Sequence, residues 1–470
     1  NSGTIDFSGS TLVIRGNSVG FQSTGITFDS NSKVVMMSND AVVANMINIA
    51  TPLKLTTLHA DLETALGGVK VYAGIDGTVI YNKYKIGTVD GGTFNIDGNM
   101  NKYADLDTIV SPTIEDENGY YYSRRFLGQR MNLTVNPSIV VTSSTDTAYA
   151  SANFNNQISG LEMNSSSLAS SNTDAQINLT SGSKVIADRT DSGAGATGLF
   201  INYGIINTDV SSTVEVEKVA NTINDKGVGI FAVNGSNVNN GGIVTVSGNS
   251  AFGLLGMTYR VAPTGGTVVN EFGGKSGEGT IVLNNTGTVD LSSGNDNVGV
   301  YGVNNHALPL NSNDVTITNS GIIKVGDGNT AASSVGIYTN SGDITNSGNI
   351  IVGKKGAGIY TLGGNVTVSG GTISIGQEST ALSMNLISTS GTSYSYNGSG
   401  GTIEVNGDKV TGYSLSGLDN MTSLSTFTDN LNIITASAPL AGEKYTQYNL
   451  SNSKFIANKS MTFSKDGFTY

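Results

Sequence analysis

Ile317-Thr318-Asn319-Ser320-Gly321-Ile322-Ile323-Lys324-Val325, followed by Ser334-Val335-Gly336-Ile337-Tyr338, returns almost at once as Ile344-Thr345-Asn346-Ser347-Gly348-Asn349-Ile350-Ile351-Val352 and Gly356-Ala357-Gly358-Ile359-Tyr360. Apolar residues alternate with polar ones in the first phrase, the period-two signature of a strand with one buried face. Working outward, Gly287-Thr288-Val289-Asp290-Leu291 precedes the pair and Gly371-Thr372-Ile373-Ser374-Ile375 follows it. The second phrase recurs beside them as Asn297-Val298-Gly299-Val300-Tyr301 and the eroded Thr380-Ala381-Leu382-Ser383. From Gly336 to Gly358 to Leu382 the step is roughly 22 to 24 residues, a solenoid spacing. One such strand cannot bury its apolar face alone, so coils must stack, with Ile323 over Ile350 and Val325 over Val352. Ile344 to Val352 reads as a single strand. Thr318-Asn319-Ser320-Gly321 and Thr345-Asn346-Ser347-Gly348 are expected to turn corners, because Asn and Gly tolerate left-handed backbone. The expectation is an all-β chain wound into a β solenoid.

Composition agrees with a scaffold of that kind. The 470 residues include 62 glycines, 6 prolines and no tryptophan, and only 13% are charged. Apolar residues at 37%, recurring at strand spacing, exclude a disordered chain. With no cysteine, disulfides, thiolate catalysis and cysteine zinc sites are excluded. The net charge of −12 argues against nucleic acid or an anionic membrane as the main ligand. No run of 18 apolar residues exists to span a bilayer as a helix. The opening Asn1-Ser2-Gly3-Thr4-Ile5 begins in mid-pattern, as a mature or trimmed piece would.

Along the chain the phrases recur unevenly. Gly3-Thr4-Ile5-Asp6-Phe7 and Ser18-Val19-Gly20-Phe21 already carry them. Thr57 to Gly67 breaks period, with Leu58, Leu62, Ala65 and Leu66 on one helical face, and predicts one short helix. Asn101 to Met131 contains no repeat phrase and reads as an insertion projecting from a coil. Coils cannot be placed between Val135 and Ala187. The phrases return at Thr197-Gly198-Leu199-Phe200, Gly227-Val228-Gly229-Ile230-Phe231 and Ala251-Phe252-Gly253-Leu254-Leu255. Met257 to Lys275 interrupts them again. Residues 1–421 are therefore expected to form the β-helix, with 422–470 as its terminal coils or cap.

Taken together, Ile-Thr-Asn-Ser-Gly-x-Ile-x-Val followed by Ser-Val-Gly-Ile-Tyr, as at Ile317 to Tyr338, resembles the passenger domains of fusobacterial autotransporter adhesins, most clearly over residues 198–405. The resemblance implies a right-handed parallel β-helix, secreted and displayed at the bacterial cell surface. It implies anchoring in the outer membrane through a β-barrel that is not part of this chain. Members of that group bind immunoglobulin-like receptors of the CEACAM type, surface sugars or other bacteria. Trimeric autotransporters fit less well, since their short head repeats and heptad stalks are not found here; the oligomeric state stays open.

Each candidate site also has an ordinary structural reading. Gly193-Ala194-Gly195-Ala196-Thr197-Gly198 matches the dinucleotide-binding pattern by letter, but a strand-like Leu199-Phe200-Ile201 follows where a helix is required, so a corner is the better reading. Asp191-Ser192-Gly193 resembles a serine-protease nucleophile, yet the only histidines are His59 and His306 and no triad logic assembles. β-Helical polysaccharide lyases and glycoside hydrolases gather carboxylates on one sheet; here Asp290, Lys324 and Ser374 occupy the outward positions, with no second acid nearby. Tyr301, Tyr338, Tyr360 and Phe231 hold equivalent places and should form either a structural aromatic ladder or a contact stripe. Tyr120, Tyr121, Tyr122, Arg124 and Arg125 in the long insertion, and Tyr259 and Arg260 in the shorter one, have the composition of binding hot spots. The sequence therefore predicts a non-enzymatic adhesin that uses neither metal nor cofactor. Its partner would be a host receptor, a glycan or another bacterium, and a β-helical carbohydrate-active enzyme is the alternative.

Overall fold

The structure, a computed structural model, describes strand segments between Thr4 and Asn164, residues 176–258 and 279–451 apart from 190–195, 219–226, 234, 306–311, 386–393, 417–423 and 436–445, and the short strands Ser464–Lys465 and Phe468–Thr469. Among the described residues the one helical element is a 3-10 turn at Ser312–Asp314. The short helix expected at Thr57 to Gly67 lies outside the described residues. The chain is a right-handed parallel β-helix, the hand that parallel crossovers almost always take. It divides into two compact units, one ending chiefly at Phe231, the other running mainly from Ser276 to Tyr470.

In the second unit every coil supplies one strand to each of three parallel sheets, here called A, B and C. Val315–Asn319, Asp343–Asn346 and Asn365–Val368 are successive strands of sheet A. Ile322–Val325, Asn349–Val352 and Thr372–Gly376 build sheet B. Ser334–Thr339, Gly356–Thr361 and Thr380–Asn385 build sheet C. Ile344 to Val352 is thus two strands in different sheets, not one, because the chain turns at Ser347 and Gly348. The expected stacking holds, with Ile323 opposite Ile350 and Val325 opposite Val352. Ile323, Ile350 and Ile373 are at most 2% exposed and form one inward row, worth roughly 1.5–3 kcal/mol for each fully buried side chain.

The sequence pattern explains the glycine of Val-Gly-Ile-Tyr through packing. A methyl group placed on Gly299, Gly336 or Gly358 would collide with a Cγ2 methyl of Ile323, Ile350 or Ile373 and with the backbone carbonyl one coil on. Sheet C therefore approaches sheet B so closely that only hydrogen fits at this position.

The corners depart from expectation. Asn319 and Asn346 end strands of sheet A with their side chains fully buried, while Ser320-Gly321 and Ser347-Gly348 make the turn. Positive φ occurs at two further corners of this kind, at Gly371 and Gly401, but among non-glycine residues left-handed backbone concentrates between sheets B and C, at Ser250, Asp296, Lys355, Glu378 and Lys409. Each such residue is disfavoured by roughly 1–2 kcal/mol. Rung hydrogen bonds offset this: Lys355 N donates to Gln377 O and Glu378 N to Asp408 O, both at 2.8 Å.

The first unit repeats the three-strand coil. Asn132–Val135, Gln176–Leu179 and Ile205–Thr208 pair in one sheet, and Ser138–Ser143, Lys184–Arg189 and Thr213–Lys218 in the next. Coils that the sequence left unplaced after Val135 are therefore in register. Leu127–Gln129, within the stretch read as an insertion, pairs in parallel with Thr78–Lys83 and Ile158–Asn164. Likewise Leu424–Asp429, Asn432–Thr435 and Thr446–Ser451 of the second unit continue sheets A, B and C past the last legible phrase.

Candidate functional site

Alternation along Val335 to Tyr338 turns Ile337 into the core and Tyr338 out of it. Because the coils are in register, Tyr301, Tyr338 and Tyr360 then fall on one row of sheet C. The Tyr301 and Tyr338 rings stack with centroids 4.6 Å apart and planes 11° apart; Tyr338 and Tyr360 follow at 5.7 Å and 17°. Phe252, on the preceding strand, meets Tyr301 edge to face at 5.1 Å. All four side chains are half-buried. The row turns polar after Tyr360, continuing as Ser383, Ser414 and Asn449. Phe231 does not join it: it is 2% exposed and packs against Phe200 at 5.3 Å in the first unit.

Stacking sets what the stripe offers a partner. Ring faces are turned on one another, so the solvent sees ring edges and hydroxyls. Burial raises the Tyr301 phenol above its ordinary pKa, and burial with the two neighbouring phenols pushes Tyr338 up to about 12. Tyr301 and Tyr338 are therefore neutral hydroxyl donors at any physiological pH.

The outer faces of the other sheets differ in chemistry. On sheet B, Lys324 Nζ lies 3.2 Å from Asp290 Oδ2 across one rung. Partial burial works against ionisation of Asp290, but the Ser292 hydroxyl, the Ser292 N–H and Lys324 together hold its carboxyl below the usual range. In the first unit Lys184 pairs with Glu215 at 2.6 Å and holds that carboxyl low. Sheet A presents Thr318, Thr345 and Thr367 in one outward row.

Inside the coil the asparagines of one row pair with each other, whereas Thr339 Oγ1 and Ser341 Oγ are buried without a hydrogen-bond partner. Asn240, Asn285, Asn319 and Asn346 form a ladder of amide hydrogen bonds at 2.7, 2.8 and 2.7 Å. Val368 ends the ladder, and further along the same row stands Asp429, 8% exposed. Tyr413 donates to Asp429 Oδ1 at 2.6 Å, Tyr448 donates to Oδ2, and Tyr396 lies edge to face against Tyr413. Burial drives the Tyr413 and Tyr396 phenols upward. This cluster is enclosed and braces the core.

Tyr120, Tyr121, Tyr122, Arg124, Arg125, Tyr259 and Arg260 lie outside the described residues, as do His59, His306 and Asp191 to Gly195. Ala196–Asn202 is a strand, so no helix N-terminus follows Gly198 to receive a pyrophosphate. Sequence reasoning found three members of the stripe but missed Phe252, whose repeat phrase carries leucine where the others carry tyrosine. It also missed the Asn240 to Asn346 ladder, for which the spacing of asparagines at strand ends was the available signal.

No protein-family model matches the chain, and neither the curated proteins nor the solved structures offer a match.

Proposed function

We propose that the chain is the passenger portion of an autotransporter adhesin, held at the bacterial cell surface through an outer-membrane barrel, and that it binds a surface molecule without chemical turnover. The repeat phrases and their resemblance to fusobacterial adhesin passengers motivate the cellular setting. The observation that carries the binding role is the half-buried row Tyr301, Tyr338 and Tyr360, with Phe252 packed edge to face against its first ring, on a scaffold whose outward positions are otherwise mainly Ser, Thr, Asn and paired charges. Tyrosine brings large contact area and loses little rotamer entropy on binding.

A protein partner suits this row better than a sugar. Sugar rings bind on open aromatic faces, and here Tyr338 has a tyrosine on each side. Ring edges and hydroxyls match the mixed apolar and carbonyl surface of an immunoglobulin-like domain, and the CEACAM-type receptor is the candidate that the resemblance supplies. The tyrosine and arginine groups at Tyr120 to Arg125 and at Tyr259 and Arg260 remain proposed contacts on sequence grounds.

Immobilised CEACAM-type ectodomains and a panel of surface glycans, probed with the purified chain, test this reading. Saturable binding to the protein, weakened by Tyr338→Ala with Tyr360→Ala, is expected. Shortening of a polysaccharide on incubation would replace it with the enzymatic alternative.

A further inference from the structure

The chain has no cysteine, so no disulfide can tie one coil to the next. It does carry tyrosines on neighbouring coils in the closest stacked pair among the described residues. Tyr301 and Tyr338 are opposite one another in the parallel register, 4.6 Å between centroids and 11° from coplanar. Both rings are half-buried, with Phe252 beside Tyr301 and Tyr360 beside Tyr338. The other stacked pairs are wider: Tyr338 and Tyr360 stand 5.7 Å apart, and Tyr413 and Tyr448 5.2 Å, with Tyr413 fully buried and its hydroxyl committed to Asp429.

We propose that Tyr301 and Tyr338 are an oxidative cross-linking site, joined through a carbon–carbon bond between ring positions ortho to the hydroxyls when the protein meets hydrogen peroxide and a haem peroxidase. Each phenol loses its O–H hydrogen atom to the oxidant, so one peroxide takes two hydrogen atoms and becomes two waters. The two phenoxyl radicals couple at ortho carbons. The hydrogens on those carbons then move to the oxygens, restoring two phenols on a biaryl that has lost two hydrogens in all. Parallel register brings the two phenols within reach of each other on adjacent coils, and a turn of the rings about their side-chain bonds out of the stack brings ortho carbons together. The bond would fasten Val298–Val303 to Ser334–Thr339, and thiol reductants would not reverse it.

The whole chain, dilute and folded, is treated with peroxide and a haem peroxidase and followed by dityrosine fluorescence, intact mass and peptide mapping. The expected first product is monomeric, lighter by two hydrogen atoms, with the Tyr301 and Tyr338 peptides joined. Tyr338→Phe keeps a stacking ring but removes a phenol; it should lose that peptide pair and most of the early fluorescence with its melt unchanged. Tyr360→Phe should keep both. First cross-links at other tyrosines, cross-links only between molecules, or unchanged early fluorescence in folded Tyr338→Phe would overturn the proposal.

Discussion

The side-chain amide of Asn319 donates from Nδ2 to Oδ1 of Asn346 at 2.7 Å, and neither residue is exposed to solvent. One coil earlier, Asn285 donates in the same sense to Asn319 at 2.8 Å. Asn319 therefore accepts from one neighbour and donates to the next. Asn319→Ala removes both functions at once and should destabilise the second unit by roughly 2–4 kcal/mol, since two buried polar groups lose partners. Asn319→Asp should be at least as damaging at neutral pH, because a carboxylate cannot donate to Asn346. Urea denaturation followed by circular dichroism measures both.

The inward register is tested by a pair of substitutions one residue apart. Ile350→Asp sets an unpaired charge between Ile323 and Ile373 and should cost several kcal/mol, enough to lower the melt sharply. Ile351→Asp, on the outward side where the residue is 41% exposed, should be close to neutral. Equal damage from both would refute the register.

From its outward position alone, Lys324→Asp should be harmless. Its partner Asp290 changes that: the substitution puts two carboxylates on adjacent rungs and should destabilise by about 0.5–1 kcal/mol, less in high salt. Because the Asp290 pKa is depressed on folding, its contribution is present above the unfolded carboxylate pKa and is lost as pH falls through the lower folded value. Asp290→Asn should therefore flatten the acid limb of the stability curve. Tyr338 acts in the opposite direction: its raised pKa makes its contribution complete below about pH 10 and lost as pH rises through about 12.

Gly336→Ala should be far worse than Gly370→Ala. A methyl at Gly336 meets Ile350 and the Gly358 carbonyl, whereas the nearest atom to a methyl at Gly370 is Ser347 O at 3.4 Å. Overpacking of the first kind typically costs about 1–3 kcal/mol. Thermal melts of the two variants distinguish a glycine required by packing from one that merely turns the chain.

Much of this was legible from residues alone. Inward alternation through Ile323 and Ile350 identified the strands of sheet B, and the Val-Gly-Ile-Tyr phrase identified those of sheet C. Sheet A was hidden because Ile344-Thr345-Asn346 shares its period with Asn349 to Val352, and period two does not record a corner between them. Asn319 was read as a corner residue because asparagine is common in turns; only the neighbouring coil shows that its amide faces inward to a partner. The left-handed positions at Lys355 and Glu378 carry no sequence signal, since rung hydrogen bonds there override local preference.

The central claim, that this β-helix binds a surface protein through an exposed edge rather than acting as an enzyme, is most directly tested by one titration. Wild type, Tyr338→Ala with Tyr360→Ala, and a deletion of Asp116 to Arg125 are titrated against an immobilised CEACAM-type ectodomain, after melts confirm that all three are folded. The account predicts saturable binding by wild type and at least about a tenfold loss in the tyrosine variant, the equivalent of roughly 1.4 kcal/mol. Loss in the deletion as well would extend the contact to that stretch. Absence of binding by wild type, or full binding by the folded tyrosine variant, would contradict it.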